Sequence, residues 1–350
     1  MASAGPPAAA APPPTFVYVA GSWHTGSTLL NLLLDGHPQI SGLGEIHWLL
    51  VSVNAAPQPD VCTCGRPLER WELDNCSCGR RLEDCLRERG VARELEELTG
   101  VPDAVKSLPT TDPQYLERAW QGTCRHEGGE RPPDEAVNPN LNRALMVLGS
   151  SRAWTAAARF SGDVETNVAS ARNSLLLAEA TRRATGTPVV VDTTKSPARM
   201  KALYLAAQER FRVLYLVRDG RAVAYSRMRR EGVGMAQAAR IWKLDHVKYL
   251  LTRLTIPPSA VMRVRYEDLC RDPRAELARI CGFLGLAFTE SMLDFRNPDR
   301  HMIGGNPMRF RRQESEIVLD ERWRRELTPA DLATFERSAG RLNRRLGYTS

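Results

Sequence analysis

Short, unalternating apolar runs recur along this chain, separated by longer stretches in which apolar residues return at helical spacing. Residues 16–20 (FVYVA) form the first run and stop at Gly21, and the leucine-rich segment 28–34 that follows reads as a helix. Further strands are predicted at 188–192 (PVVVD), 212–217 (RVLYLV) and 261–266 (VMRVRY), with helices near 168–185, 197–209, 221–229 and 235–254 between and around them. Strands that are apolar on both faces, alternating with helices, predict a mainly parallel sheet covered on both sides. The fold class is therefore α/β, with one domain over residues 15–350. Between roughly 51 and 165 the periodicity weakens, and turn residues, charges and cysteines collect there as an insertion. Residues 1–14 (MASAGPPAAAAPPP) have too little to bury and read as a solvated tail, and without a basic n-region they make a poor signal peptide.

The first strand and helix enclose the stretch AGSWHTGSTLL, which has the outline of a phosphate-binding loop, with Gly21 and Gly26 at the two glycine positions. A strand before it and a helix after it are the context such a loop needs, because the unpaired N–H groups and the dipole of the helix start then face the anion. Ser27 stands where a nucleoside triphosphatase has the lysine that meets the β- and γ-phosphates, with Thr28 next to it. A kinase or nucleotide hydrolase would also need a Mg²⁺ carboxylate at a strand end, for which Asp192 is the candidate. The loop predicts an anion other than a Mg²⁺-triphosphate.

Charge and composition narrow the ligand. The 350 residues carry a formal net charge of +7 with acids and bases mixed, and no basic stripe is interleaved with aromatics, so a small polyanion fits better than nucleic acid. No run of about 18 apolar residues occurs, so no membrane span is expected and the cytoplasm is the expected compartment. Inside the insertion CTCGRPLE (62–69) is echoed by CSCGRRLE (76–83), and Cys85 follows. Cys62, Cys64, Cys76, Cys78 and Cys85 are candidate ligands for a structural zinc; a metal-free cysteine-rich loop is the competing reading, and disulfides come third. Cys270 and Cys281 are expected to be buried as small hydrophobes, Cys124 stands alone, and Trp242 is expected in the core.

In LYLVRDGRAVAYSRM (214–228) a strand runs into Arg218, and Ser226 follows eight residues later on the next helix. Together with HTGSTL (24–29), this resembles the sulfotransferases that use 3'-phosphoadenosine 5'-phosphosulfate (PAPS), from about residue 16 to 348. The family's K/R-S-G-T-T-L loop binds the 5'-phosphosulfate, and its Arg with a Ser eight residues on binds the 3'-phosphate. The resemblance implies a P-loop-type sulfotransferase fold, sulfuryl transfer to a hydroxyl or amine of a small-molecule, carbohydrate or protein acceptor, and no catalytic metal. It implies nucleotide contacts from Trp23, His24, Thr25, Gly26, Ser27 and Thr28, and from Arg218 and Ser226. HMIGGNPMRF (301–310) resembles the late loop that closes over the nucleotide and brings in Arg309. LLDGHPQISGLGE (33–45) is similar to the segment that ends in the catalytic base of the tyrosylprotein and bacterial branches, here Glu45. VVDTTKSP (190–197) is similar to the strand end that delivers a lysine to the leaving group, here Lys195. His47 is a lower-ranked candidate base. His24 replaces the family's permanently charged residue, which implies a catalytic charge held on an imidazole and raises the rival reading of a protein that binds PAP or PAPS without turnover.

Overall fold

The computed structural model describes residues 15–49, 75–110, 150–159, 162–310 and 316–349. Five strands, β1 (Thr15–Ala20), β2 (Ile40–Gly44), β3 (Val189–Lys195), β4 (Phe211–Val217) and β5 (Val261–Arg265), form one sheet in the order β2-β3-β1-β4-β5, every neighbouring pair parallel. Helix α1 (Ser27–Leu34) follows β1, and α2 (Leu82–Glu88), α3 (Val91–Thr99), α4 (Ala104–Ser107) and α5 (Ser151–Ala158) lie between β2 and β3. The long α6 (Gly162–Thr185) leads into β3, α7 (Pro197–Ala207) links β3 to β4, and α8 (Gly220–Glu231) and α9 (Met235–Arg253) link β4 to β5. After β5 come α10 (Tyr266–Arg271), α11 (Pro273–Leu284), α12 (Trp323–Glu326), α13 (Pro329–Phe335), a π-turn (Glu336–Gly340) and α14 (Arg341–Arg345).

Alternation along the strands splits the core in two. Phe16, Tyr18, Val190, Phe211, Val213 and Tyr215 point to one face and pack with residues of α2, α3 and α6 to α9. Val17, Val19, Val189, Val191, Leu214, Leu216 and Val264 point to the other, against α1, α10 and α11. Each run is buried on both sides, which is why these strands read as continuous apolar segments. The expected α/β fold with a parallel sheet is the fold observed.

Two regions differ from the expected pattern. β2 (ISGLG) carries two glycines and reads poorly as a strand, yet all five residues are buried at the sheet edge, so burial rather than propensity makes it. Within the expected insertion α2, α3 and α4 are regular helices, α3 packs along α6, and α6 starts at Gly162, ahead of the expected end of the insertion at 165. No helix among the described residues is long and apolar enough to cross a membrane.

Trp242 is fully buried with its ring 4.6 Å from that of His246 and 5.7 Å from that of Phe335, as expected of a core residue. His246 is fully buried too, bonded through Nδ1 to the Tyr215 hydroxyl at 2.5 Å, and burial pushes its pKa down to about 3. An unfolded histidine titrates near 6.5, so between about 3 and 6.5 the unfolded chain binds one more proton at this residue and stability is lost as pH falls, by ~1.4 kcal/mol per pH unit. In His246→Asn, the stability deficit against wild type should therefore shrink by that amount per unit from pH 6 to 4.5 in urea titrations. A deficit that does not change with pH would contradict the buried neutral imidazole.

Candidate functional site

In a parallel sheet all carboxyl ends lie on one side, and here each of the five ends delivers a candidate group. β1 runs into the glycine loop, β2 stops one residue before Glu45, β3 ends on Lys195, β4 stops one residue before Arg218 and β5 one residue before Tyr266. β1 sits in the middle, with β2 and β3 on one side and β4 and β5 on the other, so its loop lies where the order of strands reverses, the usual ligand crevice of open α/β sheets.

The loop is built for close backbone approach. Gly26 has φ 93°, and a Cβ there would lie 2.3 Å from Cδ2 of Tyr266, so the position requires glycine on two counts. Thr25 Oγ1 donates to the Ser22 carbonyl at 2.8 Å and fixes the curve of the loop. Helix α1 then starts at Ser27 with its first N–H groups at the loop's end.

The cation that the loop lacks comes from β3. Lys195 Nζ donates to Ser27 Oγ at 3.0 Å, to Glu45 Oε1 at 2.6 Å and to the Thr193 carbonyl at 2.7 Å, and lies 5.5 Å from the centre of the Trp23 ring. The Lys195 and Glu45 side chains are 2% and 8% exposed, so the ion pair sits in a low-dielectric setting. Glu45 Oε2 accepts from Trp48 Nε1 at 3.0 Å, which fixes the carboxylate plane. The end of β3 is irregular: its register against β1 and β2 shifts and Lys195 has φ 68°, which turns its side chain back over the loop.

Asp192 supports that bend. It is fully buried, takes Arg199 Nε at 3.0 Å on one oxygen and the Thr194 N–H and hydroxyl on the other, at 2.8 and 2.5 Å. The candidate Mg²⁺ carboxylate is thus consumed by a salt bridge within the protein. His47 Nδ1 lies 3.3 Å from Thr194 Oγ1, and burial, with Arg199 adding to it, pushes its pKa down to about 3. Glu45, not His47, contacts the lysine.

Arg218 joins the loop to the late part of the chain. Its Nη1 donates to the His24 carbonyl at 3.1 Å, its Nη2 to the Asp320 carbonyl at 3.0 Å with the Asp320 carboxylate 3.6 Å away, and its guanidinium stacks 4.4 Å from the centre of the Tyr266 ring. Ser226 is half-buried on α8, the helix that Arg218 precedes, and its hydroxyl has no partner among the described residues. His24 behaves differently from the expectation of a charge on the anion. Its φ is 66° and its Nε2 is engaged by Glu231 Oε1 at 2.9 Å, at the far end of α8; burial lowers its pKa while the Glu231 hydrogen bond opposes this. The reason is local, because Glu231 is the one carboxylate among the described residues that the turned ring meets, and Lys195 takes the place beside Ser27.

The late loop closes the site from the β2 side. The N–H of Ile303 donates to the Leu43 carbonyl at 2.8 Å, the N–H of Glu45 to the Ile303 carbonyl at 2.7 Å, and the N–H of Asn306 to Thr28 Oγ1 at 2.9 Å. Gly44, at φ 76°, permits this pairing, since a Cβ there would lie 2.4 Å from the Ile303 oxygen. Arg309 is buried and spends Nη1 on the Met302 carbonyl at 3.0 Å, which braces this loop. Of the five candidate zinc ligands, Cys76, Cys78 and Cys85 come together with His301, which sequence reading had not marked; Cys62 and Cys64 lie outside the described residues, as does Cys124. Tyr266 was also missed as a site residue, although an aromatic placed directly after a strand is the available signal. Cys270 and Cys281 are buried as expected.

A family model described as the sulfotransferase family matches residues 14–290. Among solved structures, the sulfotransferase domain from the Synechococcus PCC 7002 olefin synthase aligns with a TM-score of 0.52 at 22% identity, over 98% of this chain and 98% of that one. The sulfotransferase domain from the curacin biosynthetic pathway gives 0.48 at 18% identity over 95% and 98%, and a sulfotransferase from Mycobacterium avium gives 0.47 at 16% over 97% and 78%. No curated protein sequence matches. At 22% identity the likeness to the olefin synthase domain speaks for the fold, while the family match spans the glycine loop, Glu45, Lys195, Arg218 and Tyr266: the chain belongs to the sulfotransferase family.

Proposed function

We propose that this protein transfers the sulfuryl group of PAPS to a hydroxyl or amine acceptor. The observation that carries this reading is the placement of Lys195 Nζ within hydrogen-bond distance of both Ser27 in the glycine loop and Glu45. Donor-side cation and acceptor-side carboxylate thus meet at one point. In the reaction the acceptor oxygen or nitrogen attacks sulfur, the bond from sulfur to the phosphate oxygen breaks, and the acceptor's proton passes to Glu45. The N–H groups of 25–28 and the Ser27 and Thr28 hydroxyls hold the 5'-phosphate, and Lys195 meets the charge that grows on the departing oxygen. The proposed transfer needs no Mg²⁺, and a kinase reading loses Asp192, its candidate carboxylate, to the pair with Arg199. Arg218 and Ser226 hold the 3'-phosphate, with Asp320 giving way to it. A cytoplasmic setting fits the lack of any disulfide among the five described cysteines.

The reaction itself is tested by a PAPS-dependent screen of hydroxyl and amine acceptors, in the presence of EDTA, with sulfated product read by mass. A protein that binds PAP yet releases none from PAPS with any acceptor would be a binder only.

The cofactor assignment predicts that PAP binds much more tightly than 5'-AMP. Arg218→Ala should erase most of the difference, about 1.5–3 kcal/mol for a hydrogen bond to a charged group. Calorimetry giving equal affinities for the two nucleotides in the wild type would overturn the role of Arg218.

A further inference from the structure

We propose that Cys76, Cys78, Cys85 and His301 form a structural zinc site that clamps the late loop onto the catalytic strand ends. The proposal rests on the donor set and its geometry and stands apart from the choice of sulfuryl donor. The three Sγ atoms and the imidazole nitrogen lie within 4.8 Å of one another, with His301 Nδ1 3.2 Å from Cys85 Sγ and 3.7 Å from Cys76 Sγ. A tetrahedral Zn²⁺ with bonds of about 2.3 Å to sulfur and 2.0–2.1 Å to nitrogen sets its donors roughly 3.6–3.8 Å apart, so small side-chain shifts bring these four atoms into a single coordination shell.

The backbone around them is shaped to present the donors. Cys76 and Cys78 stand on a tight turn in which the Cys76 N–H meets the Arg80 carbonyl at 2.9 Å and the Gly79 N–H meets the Cys76 carbonyl at 2.8 Å; Gly79 takes φ 91°. Cys85 follows on the first turn of α2, and Cys76 and Cys85 are each 1% exposed. Three thiols facing one imidazole make a poor hydrogen-bonded cluster, because S–H is a weak donor and a single ring nitrogen can accept from only one of them. With three thiolates and one neutral imidazole the same four groups satisfy a zinc ion and leave no position for water or substrate, which marks the site as structural and not catalytic. His301 is 216 positions beyond Cys85 in the chain, so the ion closes a long loop.

What the site holds in place follows from the neighbouring bonds. Ser77 Oγ donates to the Arg300 carbonyl at 2.5 Å and accepts from the Met302 N–H at 3.0 Å, so the cysteine turn already grips both flanks of His301. From there the loop runs directly to the Glu45 N–H through Ile303 and to Thr28 Oγ1 through Asn306. The ion therefore sets the position of the loop that backs both Glu45 and the start of α1.

Full-length protein purified in reducing buffer without chelator should carry about one zinc per chain by elemental analysis. Replacing the metal with Co²⁺ should give thiolate-to-cobalt charge-transfer and tetrahedral d–d bands. His301→Ala and Cys85→Ser should lose the zinc or bind it at least tenfold more weakly, while Cys62→Ser with Cys64→Ser, and Cys270→Ser, keep it. Should those ligand variants fail to fold, alkylation of the wild type decides instead: Cys76, Cys78 and Cys85 should be protected until a chelator is added, and chelation should speed hydrogen exchange at 76–88 and 300–306 but not in β1 or β4. Metal-free protein that takes up no added Zn²⁺, a disulfide among Cys76, Cys78 and Cys85, or zinc that departs with Cys62 and Cys64 but stays in His301→Ala would each overturn the site.

Discussion

Lys195→Met is expected to lower turnover by about 10² or more, and to destabilise the chain as well. The two effects have separate causes. The lost turnover is expected from removing the one cation that contacts Ser27 among the described residues, which on the proposed reaction meets the oxygen on which charge develops. The lost stability comes from Glu45, left as a buried carboxylate without its cation, a change that typically costs about 3–5 kcal/mol. The double variant Lys195→Met with Glu45→Gln separates them. Removing the stranded charge should restore most of the stability in urea titrations while activity stays lost. A double variant no more stable than Lys195→Met alone would show that the two residues are not coupled, and a single variant with wild-type turnover would remove Lys195 from the chemistry.

The sheet was legible because its strands are buried on both faces, and short apolar runs such as FVYVA or RVLYLV, too brief for a buried helix and bounded by turn residues, read as such strands. The exception, β2, shows the limit of that signal: ISGLG owes its place to what lies on either side of it. Asn31 spans Gly42 and Gly44 with hydrogen bonds of 3.3 and 3.2 Å, Asp35 takes the Gly42 N–H at 2.7 Å, and Gly42 and Gly44 are small because Asn31 and Ile303 press on them. None of those contacts has a period in the sequence.

The site was legible in part for a similar reason. Residues next to strand ends, Glu45, Lys195 and Arg218, follow from knowing the strands and the motif. Side-chain direction does not. His24 occupies the motif position that implies the loop's charge, but its backbone is left-handed and its ring is engaged by a carboxylate on α8. Lys195, also left-handed, places its ammonium beside Ser27 from a different strand. Asp192 looks like an available carboxylate because its partner, Arg199, lies in the first turn of α7 and nothing in VVDTTKSPAR announces the pair. His301 could not be joined to the cysteines from sequence at all, since more than 200 residues separate them and it is the pairing of the late loop with β2 and the Ser77 bonds to its flanks that bring it there.

The second large effect concerns the base. Glu45→Gln keeps the shape of the side chain, and its one amide oxygen can accept from Lys195 Nζ or from Trp48 Nε1 but not from both. The buried Lys195 ammonium loses its counter-charge, so stability should fall in this variant as well as in Lys195→Met. What the substitution removes is proton affinity, and a general base is typically worth 10²- to 10⁴-fold, so turnover with any acceptor found in the PAPS screen should drop by about 10² or more. PAP affinity should remain within a few-fold, because the loop, Arg218 and Ser226 are untouched. That pattern, a loss in kcat with nucleotide binding retained, belongs to a group that acts in the transition state alone. His47 supplies the control. It lies two residues away, but its Nδ1 faces Thr194 and burial pushes its pKa down to about 3, so it is a poor proton acceptor near neutral pH. His47→Gln should cost far less turnover than Glu45→Gln. If Glu45→Gln turns over normally and His47→Gln is inactive, the proton leaves the acceptor by way of His47, and the carboxylate serves only to hold Lys195.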